Sequence, residues 1–242
     1  MTKVRVLMGL AVVVAAYGLY LAINAPPEAL QRTYARILHI HAPSAWLAFL
    51  AFFVTAFGSI MWRIRRKPFW DRLAASSAEL GVLFTAVALA TGMIWGKPVW
   101  GVYFDWADAR MASTAIMFLV YLGYLALRRA TADPHVRASR ASILGIVAVI
   151  QVPLVYFSVN LVRTLHQTQT IRPQGSPIHP AMLQALFVNL AAFTLIYLAL
   201  LAGRMMVGRL EEEAEAVALP LAGSAVLPPN LQRHPLDGAV DG

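Results

Sequence analysis

Six long apolar runs, separated by short connections that carry most of the charge, constrain this chain more than any other feature. Each is close to the roughly 20 residues that an α-helix needs to cross the hydrocarbon of a bilayer. Only helices and closed barrels satisfy their backbone groups in lipid, and uninterrupted apolar runs of this length specify the helix. The predicted spans are residues 6–23, 43–62, 73–95, 111–127, 141–162 and 182–206. Hydrophobic residues make up 59% of the 242 and charged residues only 13%, about half the charged share of a soluble domain. The expected fold class is therefore all-α, an integral membrane bundle of six transmembrane helices.

The organisation follows from what lies between the runs. The first run is read as a retained helix and not a cleaved leader, because it is too long for one and Pro26-Pro27 falls where cleavage would occur. Pro153 lies inside the fifth run and should kink it. Residues 1–209 form one six-helix domain, and residues 210–242 read as a disordered tail rich in Pro, Gly and Ala. There is no internal repeat. The net charge of +8 has a topological account, since Lys and Arg mark cytoplasmic loops. With both termini cytoplasmic, fourteen of the 20 basic residues fall inside, among them Arg63, Arg65, Arg66, Lys67, Arg128 and Arg129. Six fall outside: Arg32, Arg36, Lys97, Arg110, Arg163 and Arg172. Basic residues are not interleaved with a soluble fold, so nucleic acid is not an expected partner, whereas membrane lipid is.

That orientation puts one unusual tract on the outer face. Residues 95–113 hold Trp95, Trp100, Tyr103, Phe104 and Trp106, together with Lys97, Asp105, Asp108 and Arg110. Aromatic rings collect at membrane–water interfaces, which is one account of the tract. The other is a platform for a flat, hydrophobic, partly anionic ligand, with ring faces for stacking and Lys97 and Arg110 for carboxylates.

The histidines bear on that choice. His135 and His234 fall in polar surroundings on the cytoplasmic side, while His39, His41, His166 and His179 fall on the outer side. Pro43 suits the first turn of the second helix, which places His41 just ahead of that helix. His166 follows the fifth helix, so the two imidazoles could converge over the aromatic tract. Two neutral imidazoles facing each other across an iron make a bis-histidine haem site; the alternative is hydrogen bonding at headgroup level. His39 and His41 are two apart and face different sides of a helix, so at most one is a ligand. Asp105 and Asp108 are candidates for pairing with Lys97 or Arg110 or for orienting a histidine. Glu79 either marks a proton path or reaches water at the near end of the third helix. The chain has no cysteine, which excludes disulfides, thiolate metal sites and covalent haem attachment through Cys-x-x-Cys-His. A phosphate-binding glycine loop, a nucleophile elbow and a His-Glu-x-x-His pattern are also absent.

These residues together resemble the CcmC family, the haem exporter protein C family of cytochrome c maturation. The family carries a tryptophan-rich motif of the form Trp-Gly-x-x-Trp-x-Trp-Asp-x-Arg. Here it reads Trp100-Gly101-Val-Tyr103-Phe104-Asp105-Trp106-Ala107-Asp108-Ala109-Arg110, preceded by Trp95-Gly96-Lys97-Pro98. His41-Ala-Pro43-Ser44-Ala and Thr164-Leu165-His166-Gln167 match the flanking histidine segments. The chain departs from the pattern in having Tyr103-Phe104 for a tandem tryptophan and one extra residue near Ala107.

The resemblance implies that His41 and His166 are the axial ligands of a transient, non-covalent haem b. It implies that Trp95, Lys97, Trp100, Tyr103, Phe104, Trp106, Asp108 and Arg110 hold the haem. The implied location is the bacterial inner membrane, with the working face periplasmic. The implied partners are the haem chaperone CcmE, the ABC transporter subunits CcmA and CcmB, and CcmD. The function would be haem delivery and not catalysis. Alternatives are a haem lyase component related to CcmF or CcsA, a membrane cytochrome that carries electrons, and a small-solute transporter. The first two call for histidines within the helices, which these runs lack, and the third has only Gln151-Val-Pro153 and Asn160 to suggest it.

Overall fold

The computed structural model describes residues 2–168, 170–171 and 175–224. Among these residues the regular structure is helical: α1 (Thr2–Asn24), a 3-10 turn (Thr33–Ile37), α2 (Leu38–Arg65), α3 (Pro68–Trp100), α4 (Ala109–Ala130), α5 (Pro134–Ala148), α6 (Gln151–Leu161) and α7 (Pro180–Ser224). Helices α5 and α6 belong to one span, so six segments are long and apolar enough to cross a membrane. The all-α, six-span expectation holds, and the protein is a multi-pass membrane protein.

The break between α5 and α6 has the expected cause. Pro153 has no N–H to give the carbonyl of Val149, and its ring crowds that carbonyl. The backbone tightens in response, with Ile150 N donating to Val147 O (3.3 Å) and Val152 N to Val149 O (3.0 Å). Both are bonds to the third residue back, the mark of a 3-10 turn.

Helix ends differ from the sequence reading in three places. Helix α2 starts at Leu38, ahead of the expected Pro43, because the preceding 3-10 turn has already begun to wind the chain. His41 therefore sits inside the helix and not before it. Helix α3 continues past Trp95 to Trp100, carrying Pro98 in its last turn, where a missing N–H forfeits one bond only. Gly101, at φ 81°, ends it in the left-handed conformation and donates its N–H to Lys97 O (3.0 Å). Helix α7 continues beyond Met206 to Ser224. Residues 210–224 are thus helical where an irregular tail was expected. The stretch is rich in Glu and Ala, both good helix formers, and Arg209 pairs with Glu213 one turn on (2.8 Å). The rest of the tail, with Arg233 and His234, lies outside the described residues, as does Arg172.

The chain divides into two compact units, one ending at Met205 and the other beginning at Met206. The first holds α1 to α6 and α7 as far as Met205. Its core is built from small residues on α2 and α3, which let aromatic rings fill the space between helices. Ala51, Ala78 and Phe52 are all fully buried, and the Phe52 ring stacks on Tyr121 at 3.5 Å between centroids. Several polar groups inside are paired, which offsets the cost of burying them in a low-dielectric interior, although the hydroxyls of the buried Tyr121 and Tyr124 make no hydrogen bond among the described residues. Ser77 Oγ meets Tyr197 OH (2.8 Å), and Asn189 Nδ2 donates to Gly18 O (2.8 Å), tying α7 to α1. Where α3 begins and α4 ends, the Arg128 guanidinium forks onto both oxygens of Asp71 (2.7 and 2.8 Å). Glu79 is held by Arg204 of α7, so it is engaged in an ion pair.

Candidate functional site

At the opposite end of α2, α3 and α4 lies a cavity of about 660 Å³, within the range of small-molecule and cofactor sites (roughly 300–1,000 Å³). It reaches between the helices as far as Ala48, Thr85 and Met117. Seven of the ten residues singled out from sequence line it: His41, Trp95, Trp100, Tyr103, Phe104, Arg110 and His166. The other three sit around it.

His41 projects from the first turns of α2 toward α3. Its Nδ1 lies 3.0 Å from the Ala88 carbonyl and 3.2 Å from Thr91 Oγ1. A carbonyl only accepts, so Nδ1 carries a proton, and in the neutral imidazole Nε2 then keeps its lone pair. The Trp95 ring packs edge-on against the imidazole at 5.8 Å and is itself fixed by Nε1 donating to Gln31 Oε1 (3.0 Å). His39 is a structural residue. It is fully buried, with its ring nitrogens 3.1 Å from Arg36 O and 3.0 Å from Met182 O, and it joins the start of α2 to the start of α7.

The Trp-rich tract splits into a helical half and a looped half. Trp95 and Trp100 ride on the end of α3. Lys97 turns back on that helix end, its Nζ donating to Gly101 O (3.0 Å) and lying 5.3 Å from the Tyr103 ring centroid. Beyond Gly101 the chain makes a turn: Asp105 Oδ1 accepts from Ala107 N (2.8 Å) and Asp105 O from Asp108 N (3.2 Å). The turn leaves Trp106 at 68% exposure, stacked edge-on against Phe104 at 4.9 Å. It also delivers Asp108 to the N-cap of α4, where Oδ1 accepts from Met111 N (2.9 Å). Arg110, in the first turn of α4, donates from Nη2 to Tyr156 O (2.8 Å), while its buried Nε makes no hydrogen bond.

His166 stands on the connection that follows α6, where the backbone has no regular structure. Its ring lies 4.8 Å from that of Trp100, and its Nδ1 lies 3.3 Å from Asp108 Oδ1. The buried Nδ1 is out of line for a formed hydrogen bond, so the contact is electrostatic. Burial pushes the His166 pKa below its ordinary value; the Asp108 carboxylate opposes that shift and Arg110 adds to it. For Asp108, burial acts to raise the pKa. The hydroxyl of Thr164, the amides of Met111 and Leu165 and the nearby imidazole outweigh it, so the carboxyl lies below the usual range.

The connection carrying His166 was not legible as part of the site's scaffold. Thr164 Oγ1 and Leu165 N both donate to Asp108 Oδ2, the amide at 2.7 Å. Gln31 and Tyr156 were missed as well, because a lone glutamine in a connection and one more tyrosine in a span carry no distinguishing pattern. Among the described residues no cluster of three or more His, Asp or Glu side chains is arranged to hold a metal ion by itself. What the cavity offers is two separate imidazoles in an aromatic, cation-bearing enclosure.

Fold and cavity together define a polytopic helical membrane protein with an aromatic cavity lined by two imidazoles. The family model described as "CcmC: Heme exporter protein C" matches residues 1–219. The chain is 40% identical over 190 residues to the Heme exporter protein C of Bradyrhizobium diazoefficiens, covering 78% of this chain and 72% of that one. It is 36% identical over 190 residues to a ccmC-like mitochondrial protein of cytochrome c biosynthesis from Marchantia polymorpha, covering 78% and 80%. To the Escherichia coli K12 Heme exporter protein C it is 34% identical over 184 residues, covering 75% and 73%. The chain belongs to the CcmC family.

Proposed function

We propose that this protein handles haem for cytochrome c maturation. In this reading it binds a non-covalent haem b in the cavity, with His41 and His166 as axial ligands. The working face is the periplasmic side of the bacterial inner membrane, both termini lie in the cytoplasm, and the haem passes to the chaperone CcmE. CcmA, CcmB and CcmD act as partners in its release.

The observation that carries the reading is the convergence of two imidazoles, from α2 and from the connection after α6, on one aromatic cavity. The residues fit the cargo. On His41 the Ala88 carbonyl occupies Nδ1, leaving Nε2 as a neutral donor of the kind iron prefers. Trp95, Trp100, Tyr103 and Phe104 supply ring faces for a planar macrocycle. Arg110 lines the same cavity with a permanent positive charge, suited to a propionate carboxylate. Lys97 and Trp106 serve at the rim, and Asp108 stands behind His166. Bound haem supplies an iron centre and two carboxylates; the chain supplies ligation, stacking and charge neutralisation.

The test is haem content after expression with ample haem. The His166→Ala and His41→Ala variants should each lose most bound haem, or retain it in high-spin form, while still entering the membrane. Unchanged low-spin haem in either variant would overturn the ligand assignment.

A further inference from the structure

One carboxylate holds together two parts of the site that are far apart in sequence, the start of α4 and the connection after α6. Asp108 has a side chain only 1% exposed, yet it does not line the cavity. Oδ1 caps α4 through Met111 N (2.9 Å) and lies 3.3 Å from His166 Nδ1. Oδ2 takes the hydroxyl of Thr164 and the amide of Leu165 (2.7 Å). Thr164 Oγ1 in turn accepts from the amide of His166 itself (3.2 Å). The connection that carries His166 has no regular structure of its own, and these bonds anchor it at the base of the histidine.

We propose that Asp108 is a positioning residue for His166, fixing its loop and its ring so that Nε2 is the nitrogen available to a ligand in the cavity. The inference rests on the reading of His166 as a haem ligand and assigns Asp108 a role that involves no contact with haem. Two physical effects combine in it. Three donors converge on a buried carboxylate, two of them from the loop, and set where the loop can lie. The negative charge beside Nδ1 also favours the tautomer with its proton on that nitrogen, which leaves the lone pair on Nε2. Partners of this kind behind a metal-binding imidazole change metal affinity by about 10–100-fold when removed.

The experiment uses the full-length protein in detergent, titrated with haemin and read by absorption spectroscopy. Asp108→Asn is the primary variant, because Asn also caps helices well and the start of α4 is preserved. Its amide group presents either a neutral acceptor or a donor to Thr164 and Leu165, and it removes the charge beside Nδ1. Haemin affinity should fall about 10–100-fold, with part of the low-spin signal converted to high spin and restored by added imidazole. Thr164→Val, which leaves the carboxylate intact, should shift the spectrum the same way to a smaller degree. Low-spin spectra and affinities equal to those of the unmodified protein in both variants would overturn the positioning role and leave the ligand assignment standing. Absence of low-spin haem in the unmodified protein would overturn both.

Discussion

The approach of His41 to α3 depends on the absence of a side chain at Gly92. A Cβ at that position would lie 3.0 Å from Cε1 of His41 and 3.4 Å from its Nδ1. A methyl group forces a shift of a few tenths of an ångström, and a β-branched side chain leaves the ring no room beside the Ala88 carbonyl. Gly92→Val should therefore weaken haem binding at least tenfold, by the same argument that applies to groups behind a ligating imidazole. Gly123→Val, where a side chain meets open space, should not. Haemin titration of the two variants side by side checks this, and equal affinities would contradict it. At this scale much of the site was legible in the sequence, because imidazoles and tryptophans are rare enough to stand out against apolar runs. Asp108 was visible as an acidic residue beside the motif. Thr164 and Leu165 were visible as part of the segment that carries His166 but not as partners of Asp108, since a threonine hydroxyl and a backbone amide gain that meaning only when the chain brings them there. Lys97 and Trp106 stand outside the cavity lining, Lys97 bonded to its own helix end and Trp106 largely exposed.

Helix existence was set by apolar length, and helix ends were set by chemistry that hydropathy does not weigh. Proline illustrates both sides. At Pro68 and Pro134 it opens a helix, the latter behind an Asp133 cap on Val136 N (2.7 Å). At Pro153 it breaks one span into α5 and α6, while at Pro43 and Pro98 the helix carries on. The difference lies in what precedes each proline and how near the helix end it falls, and α2 and α3 ran longer than their apolar cores suggested. Between elements, the firmest polar joint is Arg128 with Asp71, side chains 14% and 17% exposed. Asp71→Ala strands a mostly buried guanidinium and should cost about 3–5 kcal/mol. Replacing both residues with Leu should recover much of that loss. Thermal unfolding in detergent reads both, and an Asp71→Ala midpoint equal to that of the unmodified protein would show that the pair contributes nothing.

For the whole molecule, the six-span plan was legible because the bilayer sets one length for every crossing helix. The arrangement of spans around a cavity was not, since lipid-facing and cavity-facing surfaces are equally apolar. Trp46 and Phe187 illustrate this: both line the cavity, yet each is about half exposed. The convergence of α2, α3, α4 and the connection after α6 turns scattered motif residues into one enclosure, and the function proposed for the chain depends on that enclosure. The most direct test is the absorption spectrum, oxidised and reduced, of the protein purified in detergent after expression with ample haem. The account predicts a low-spin spectrum of the bis-imidazole type that is lost with either His41 or His166. A protein that stays haem-free even after addition of haemin would contradict it and leave the aromatic tract as an interface belt.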